Sequence, residues 1–402
     1  MPIHALPASA GRASSPNVFW KNSQTQGAKM SQARAVLIRS HPFDYHMHAV
    51  GWALTERGVP WRAWSSSLFP AGLAQGMSLQ PDGEFCPWQA DENGRDEFED
   101  IAVVWNRRRS GPTLSTRLHA ADHEFVRKEA NIFQEEFSAH LLPEALWVNP
   151  PEAQRRDVHK LHQLRTAVRV GLTIPPTLIS NDADAIADFY RAQDGDIIFK
   201  AFTGGFWSKG DGRQAKGITA RVSEEHLRQR ESLAAAPGIF QKRIPKRDEL
   251  RITVMGSSCF AARLDSQALP EAQTDWRAGG FDVPLSWIEM PEGLETACLR
   301  FMQAAKLHYA SFDFIRTPDD QLVFLEVNQT GQFLWKEVSC PEMPLLSAFS
   351  AFLASGDPGF RWTDDRADIS LEKFQASDAF QRMQEIQQRD PAGGETAGIY
   401  KE

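Results

Sequence analysis

The sequence is poor in the features that would mark several protein classes. Its four cysteines, at 86, 259, 298 and 340, form no CxxC and no zinc-spaced pair with histidine. A disulfide scaffold and a zinc module are excluded, and the cysteines read as reduced thiols of a cytoplasmic protein. Positive charge is not in excess: 44 Lys and Arg stand against 52 Asp and Glu, a net charge of -8. That balance offers no basic face for nucleic acid. No apolar run approaches the ~18 residues of a membrane span, and no internal repeat appears. Acid is missing from the first 43 residues, which hold five Lys or Arg. Such a composition is that of a transit peptide, but Pro7, Gly11, Pro16 and Gly27 interrupt any amphipathic helix. The expectation is a disordered tail over residues 1–32, or a start at Met30.

What is present is ordinary globular composition, 42% hydrophobic and 24% charged, with room for two or three subdomains. "RAVLIRS" reads as a buried strand, "YHMHAVGWALTERG" as a helix stopped by Gly58, and "VPWRAW" and "DIAVVWNRR" as two more strands. This is a small α/β unit without a GxGxxG turn, so it is not a dinucleotide site. His46 and His48 are two apart on a helix and face different directions, so with His41 they make no metal site. Arg107, Arg108 and Arg109 form a short basic run, a candidate to meet an acidic peptide. "WVNPPEAQ" reads as a linker. A helix with the apolar stripe Leu161, Leu164 and Val168 follows, then a strand over 177–179. A further strand ends at Lys200, before a loop with Gly204, Gly205, Gly210 and Gly212.

The most informative stretch is "VFLEVNQTGQFLW", 323–335. Glu326 and Asn328 are two apart on a predicted strand, so they share a face. The runs "SFDFIRT" and "LVFLEVN" flank Pro318-Asp319-Asp320-Gln321, a turn-rich loop. Pairing Thr317 with Leu322 across it sets Asp313 opposite Glu326 and Ser311 opposite Asn328. Phe324 is expected on the same face. Facing carboxylates repel unless a cation, a shared proton or solvent relieves them. Two carboxylates and a carboxamide suit Mg²⁺ whose remaining ligands are substrate phosphates. Lys200 with its glycine-rich loop, Lys160 and Arg251 are the candidate phosphate partners.

These passages together resemble the ATP-grasp superfamily. More narrowly, the chain is similar to the ATP-grasp maturases of graspetides, the microviridin type. "HKLHQLRTAVRVGLTIPPTLIS", "DIIFKAF", "RDELRITVMGSSCFAARLDSQ" with "TDWR", and "VFLEVNQTGQFLW" carry the resemblance, in matching order over about 100–344. It implies an α/β (α+β) ATP-grasp fold with an N-terminal pre-ATP-grasp α/β domain over 33–148. A central subdomain over 149–240, a C-terminal subdomain over 241–363 and a polar tail with a helix over 364–402 would follow. It implies ATP and Mg²⁺. Lys160, Lys200 and the loop at Gly204 and Gly205 would meet nucleotide phosphates. The hinge from Gln241 through Lys242 to Ile244 would meet adenine. Arg251 would be the catalytic contact to phosphate or acyl-phosphate, and Asp313, Glu326 and Asn328 the metal ligands. Many relatives carry Pro where this chain has Gln329, and an acid where it has Lys242.

The activity implied is an ATP-dependent carboxylate ligase that closes esters or amides within a ribosomal precursor peptide of leader and acidic core. No nucleic-acid or membrane partner is implied, and homo-oligomerisation is left open. A ligase of free small molecules, like glutathione synthetase, and a non-catalytic ATP- or peptide-binding module are the alternatives.

Overall fold

The computed structural model describes residues 34–91, 94–202, 206–208, 214–216, 219–363 and 367–388. The apolar run at the start forms β1 (Ala35–Arg39), followed by α1 (Tyr45–Glu56) and β2 (Trp61–Trp64). The Asp44 side chain caps α1 by accepting from the His46 N–H, and Gly58 turns the chain away at φ 68°. A three-stranded antiparallel meander comes next, with β3 (Ala74–Leu79), β4 (Phe85–Asp91) and β5 (Gly94–Asp96). Then come β6 (Ile101–Asn106), α2 (His123–His140) and β7 (Leu146–Val148). Strands β2-β1-β6-β7 make one parallel sheet. Both its faces are covered, which explains its unbroken apolar strands. Leu37 and Val104 pack with Trp64, Phe98 and Phe137 on one side. Val36, Ile38, Val103 and Trp105 pack with α1 residues on the other.

Helices α3 (Pro151–Asp157) and α4 (Lys160–Arg169) lead into a second sheet. It contains β8 (Thr177–Ser180), β9 (Ile197–Lys200), β12 (Ala220–Arg221) and β13 (Gly238–Lys242), in the order β12-β9-β13-β8. A hairpin of β10 (Phe206–Ser208) and β11 (Gln214–Lys216) leaves it. Helices α5 (Ala183–Ala192), α6 (Glu224–Arg228) and α7 (Arg230–Ala235) complete this unit. Ile186 of α5 shares its apolar core with Ile197, Val222 and Phe240.

The third sheet is antiparallel, in the order β16-β15-β14-β17-β18. Its strands are β14 (Asp248–Met255), β15 (Ser258–Leu264), β16 (Leu285–Ile288), β17 (Tyr309–Arg316) and β18 (Leu322–Asn328). One face buries Leu250, Ile252, Phe312 and Phe324 with Cys298, Phe301 and Met302 of α8 (Leu294–Ala305). The chain closes with α9 (Leu334–Ser339), α10 (Leu345–Ser355), α11 (Leu371–Gln375) and α12 (Asp378–Gln387). The polar segment after 364 is not all surface. Phe374 and Met383 are buried, and Phe374 meets Tyr45 of α1 edge-on at 5.6 Å.

No helix among the described residues is long and apolar enough to cross a membrane.

Candidate active site

The β17–β18 pairing places Asp313 opposite Glu326 and Ser311 opposite Asn328. The route to that register differs from the one read in the sequence. Arg316, not Thr317, faces Leu322. A β-bulge between Asp313 and Phe314 shifts the pairing by one, so the carboxylates still meet. The bulge also moves Phe324. It lies in the core beneath the sheet, not beside Glu326. The apolar neighbours of the carboxylates are Ile315 and Leu325, which line the cleft above.

Three of the expected cations, Lys160, Arg251 and Lys200, converge on this face. Lys160 opens α4, and its Nζ donates to Glu326 Oε2 at 2.5 Å. Arg251 pairs across β14 and β17 with Asp313, its Nε 3.0 Å from Oδ1. That contact is an ion pair without hydrogen-bond alignment, because both atoms lack a hydrogen-bond partner. Lys200, at the end of β9, lines the same cleft together with Gln241, Lys242 and Ile244. The Gln241 side chain donates to Thr177 Oγ1 at 3.0 Å. Gly204 and Gly205 lie outside the described residues.

The fourth cation, Arg277, escaped the sequence reading. It sits in the "TDWR" segment, on a loop of short turns between β15 and β16. Asp275 holds it at 2.9 Å, and Trp276 stacks on Trp335 at 5.2 Å. The Arg251 guanidinium carbon lies 5.2 Å from the Trp276 ring and 5.5 Å from the Trp335 ring. The sequence reading has "TDWR" among the passages of the resemblance but draws no role for Arg277 from it.

The electrostatics follow from this packing. Burial pushes the Asp313 carboxyl up to about 6, opposed by Arg251 and reinforced by the facing Glu326. Burial also acts to raise Glu326, but Lys160, Arg277 and Lys200 outweigh it and hold it at about 2. Burial lowers the Lys200 ammonium, with Glu326 opposing and Lys160 adding to the shift. Burial works against the Arg277 cation, yet the adjacent Asp275 keeps it more basic than an ordinary guanidinium.

The donor set fits magnesium bound together with phosphates. Asp313 Oδ1 has no hydrogen bond. No hydrogen bond to the Asn328 carboxamide occurs among the described residues. No cluster of three or more His, Cys, Asp or Glu that could hold a metal occurs among them. Two carboxylates and an amide are instead the partial set that Mg²⁺ takes when phosphate oxygens supply the rest.

Other expectations resolve differently. Arg107 is only 2% exposed; its Nε lies 3.4 Å from Asp44 Oδ2 and its Nη1 donates to Thr330 O. It is an interior tether, not a surface charge. Arg109 is near Glu135, at 3.5 Å. His46 accepts the Phe333 and Leu334 N–H groups at Nε2, and His48 Nε2 contacts Pro42 O at 2.7 Å. Leu164 is buried, but Leu161 and Val168 are 52% and 56% exposed. They border an apolar cavity of about 600 Å³ between α4 and β8 that contains none of the predicted site residues.

No protein-family model matches the chain, and no curated protein matches it. Solved structures do. A RiPP-associated ATP-grasp ligase of Chryseobacterium gregarium, in complex with ADP and a leader and core peptide, is 27% identical. The match covers 81% of this chain and 98% of that one, with a TM-score of 0.74. The macrocyclase MdnC of Microcystis aeruginosa, bound with precursor peptide MdnA, is 26% identical over 80% of this chain and 99% of that one, TM-score 0.70. Macrocyclase MdnB of the same organism is 26% identical over 80% and 99%, TM-score 0.66. The chain belongs to the ATP-grasp superfamily, and the solved structures to which it is similar are a RiPP-associated ligase and macrocyclases.

Proposed function

We propose that this protein is an ATP- and magnesium-dependent ligase that activates Asp or Glu side chains of a ribosomal precursor peptide and closes them onto Ser, Thr or Lys of the same peptide. The observation that carries the reading is one cleft where Asp313, Glu326 and Asn328 meet Lys160, Lys200, Arg251 and Arg277.

A carboxylate resists nucleophilic attack because charge would accumulate on charge. Transfer of a phosphoryl group from ATP to the carboxylate oxygen gives it a leaving group, with ADP released. A hydroxyl or amine then forms the new C–O or C–N bond, loses its proton, and inorganic phosphate departs. The protein's share of such a transfer is positioning and charge neutralisation. Lys160 and Lys200 hold nucleotide phosphates, assisted by the backbone at Gly204 and Gly205. Gln241, Lys242 and Ile244 border the base. Arg251, steadied by Trp276 and Trp335, meets the transferred phosphoryl group. Asp313, Glu326 and Asn328 hold magnesium, which when bound neutralises phosphate charge.

We assign residues 33–148 to a pre-ATP-grasp domain, 149–240 and 241–363 to the two grasp subdomains, and the site of action to the cytoplasm. The partner is a precursor with a leader and an acidic core.

The test is incubation with a precursor peptide encoded beside the gene, ATP and Mg²⁺, read by mass spectrometry. Each ring should remove the mass of one water. Activity on free amino acids alone would replace this reading with a small-molecule ligase. Nucleotide binding with no product from either substrate would replace it with a binding module.

A further inference from the structure

Asn328 ends β18, and Gln329 opens the turn that follows. Each residue around Asn328 is held by a side chain from elsewhere in the fold. Before it, the Gln163 carboxamide treats Val327 as a strand would, donating to its carbonyl at 2.9 Å and accepting its N–H at 3.2 Å. After it, three successive carbonyls each receive a donor. Asn149 Nδ2 donates to Gln329 O at 2.9 Å, Arg107 Nη1 donates to Thr330 O, and the Tyr309 hydroxyl donates to Gly331 O at 2.9 Å. The Gln329 side chain adds a fourth bond, donating through Nε2 to Gln154 O at 2.9 Å. Gly331 folds back so closely that a Cβ there would lie 3.0 Å from Asn328 Cβ.

All these residues except the exposed Thr330 are buried, where a hydrogen bond is costly to leave unmade. The Asn328 carboxamide itself is the exception, with no hydrogen bond among the described residues. A turn held at every carbonyl around an amide left unbonded is a device for aiming that amide. We infer that Gln329, together with Tyr309, is a positioning residue that orients Asn328 toward the metal, resting on the reading of Asn328 as a ligand. Proline at this place would stiffen the turn covalently, by fixing φ. Gln329 does it through a buried side-chain bond.

The test measures Mn²⁺ binding to the ADP complex by electron paramagnetic resonance, with Asn328→Ala as reference. Gln329→Ala and Tyr309→Phe should each weaken Mn²⁺ about three- to tenfold, the equivalent of one hydrogen bond. ADP affinity without metal should not change. Gln329→Pro should recover most of the loss. Mn²⁺ affinity unchanged in Gln329→Ala and Tyr309→Phe, but lowered in Asn328→Ala, overturns the inference and spares the ligand. Affinity unchanged in Asn328→Ala removes the ligand reading itself. A Pro variant as weak as the Ala variant, with an unchanged melting temperature, overturns the claim that Gln329 acts through the backbone.

Discussion

His46 should make the fold acid-sensitive, and the size of the effect can be worked out. Its ring is buried, and Nε2 accepts two N–H groups, from Phe333 at 3.1 Å and Leu334 at 3.3 Å. That geometry needs a neutral ring with its proton on Nδ1, facing Asp44 at 3.8 Å. Burial and then Arg107 lower its pKa well below the ordinary value, against the pull of Asp44. In the unfolded chain the same ring titrates near 6.5. Below that pH the unfolded state takes up a proton that the folded state refuses. Stability is therefore lost as pH falls, by about 1.4 kcal/mol between pH 7.5 and 5.5 for one such histidine. His48, lowered chiefly by burial, acts with the same sign. The His46 contribution alone is a sizeable share of a normal folding free energy of about 5–15 kcal/mol. The assay is urea unfolding followed by tryptophan fluorescence at both pH values. His46→Gln keeps an acceptor near the two N–H groups and removes the titration. It should reduce the acid-induced loss by about 1.4 kcal/mol at constant denaturant slope. His46→Ala should cost about 2–4 kcal/mol at pH 7.5, from two N–H groups left without their acceptor and a lost ring contact with Phe333. An identical pH dependence in wild type and His46→Gln would refute the assignment of the proton-linked group.

Two further changes address the site. Glu326→Gln keeps volume and removes charge. Its pair with Lys160 is only half buried, at 23% and 26% exposed, so folding should lose about 1 kcal/mol or less. Product formation should nonetheless vanish, and wild-type turnover in that variant would remove Glu326 from the metal set. Lys200→Met should weaken an ATP analogue about ten- to a hundredfold, the usual worth of a charge-assisted bond. Calorimetric titration showing an unchanged dissociation constant would exclude contact between Lys200 and phosphate.

The legible parts of the molecule were those with short-range periodicity. β1, α1, β6, α4 and β9 carry their apolar spacing and stop signals locally. The facing of Asp313 and Glu326 could be counted from one turn, although the count began one residue off and the bulge restored it. A bulge is invisible to counting because it depends on how the sheet packs, here on Phe314 and Phe324 meeting in the core. The α4 stripe was legible only at Leu164. Its neighbours Leu161 and Val168 face an open cavity, because apolar spacing shows which way a side chain points but not what covers it. Arg107 looked like a surface charge because its partners, Asp44 and Thr330, are distant in sequence. Arg277 and Trp276 lie on a loop of short turns without periodicity, so only the folded chain shows that they roof the carboxylates.

The turn after Asn328 also has a meaning for how the chain is made. Its holders come early and their guest comes late: 223 positions separate Arg107 from Thr330, 180 separate Asn149 from Gln329, and 287 separate His46 from Phe333. Contacts of such long range form late in folding, after local helices and hairpins. On the ribosome the clamp is synthesised first and waits for the strand it will hold. A nascent chain halted before β18 should therefore carry Arg107, Asn149 and His46 without the backbone groups they bind in the finished protein. Such a chain should be cut readily by protease in its N-terminal domain, and resistance equal to that of the full chain would show that the domain closes without its guest. A protein competent for metal binding has then already closed these long loops.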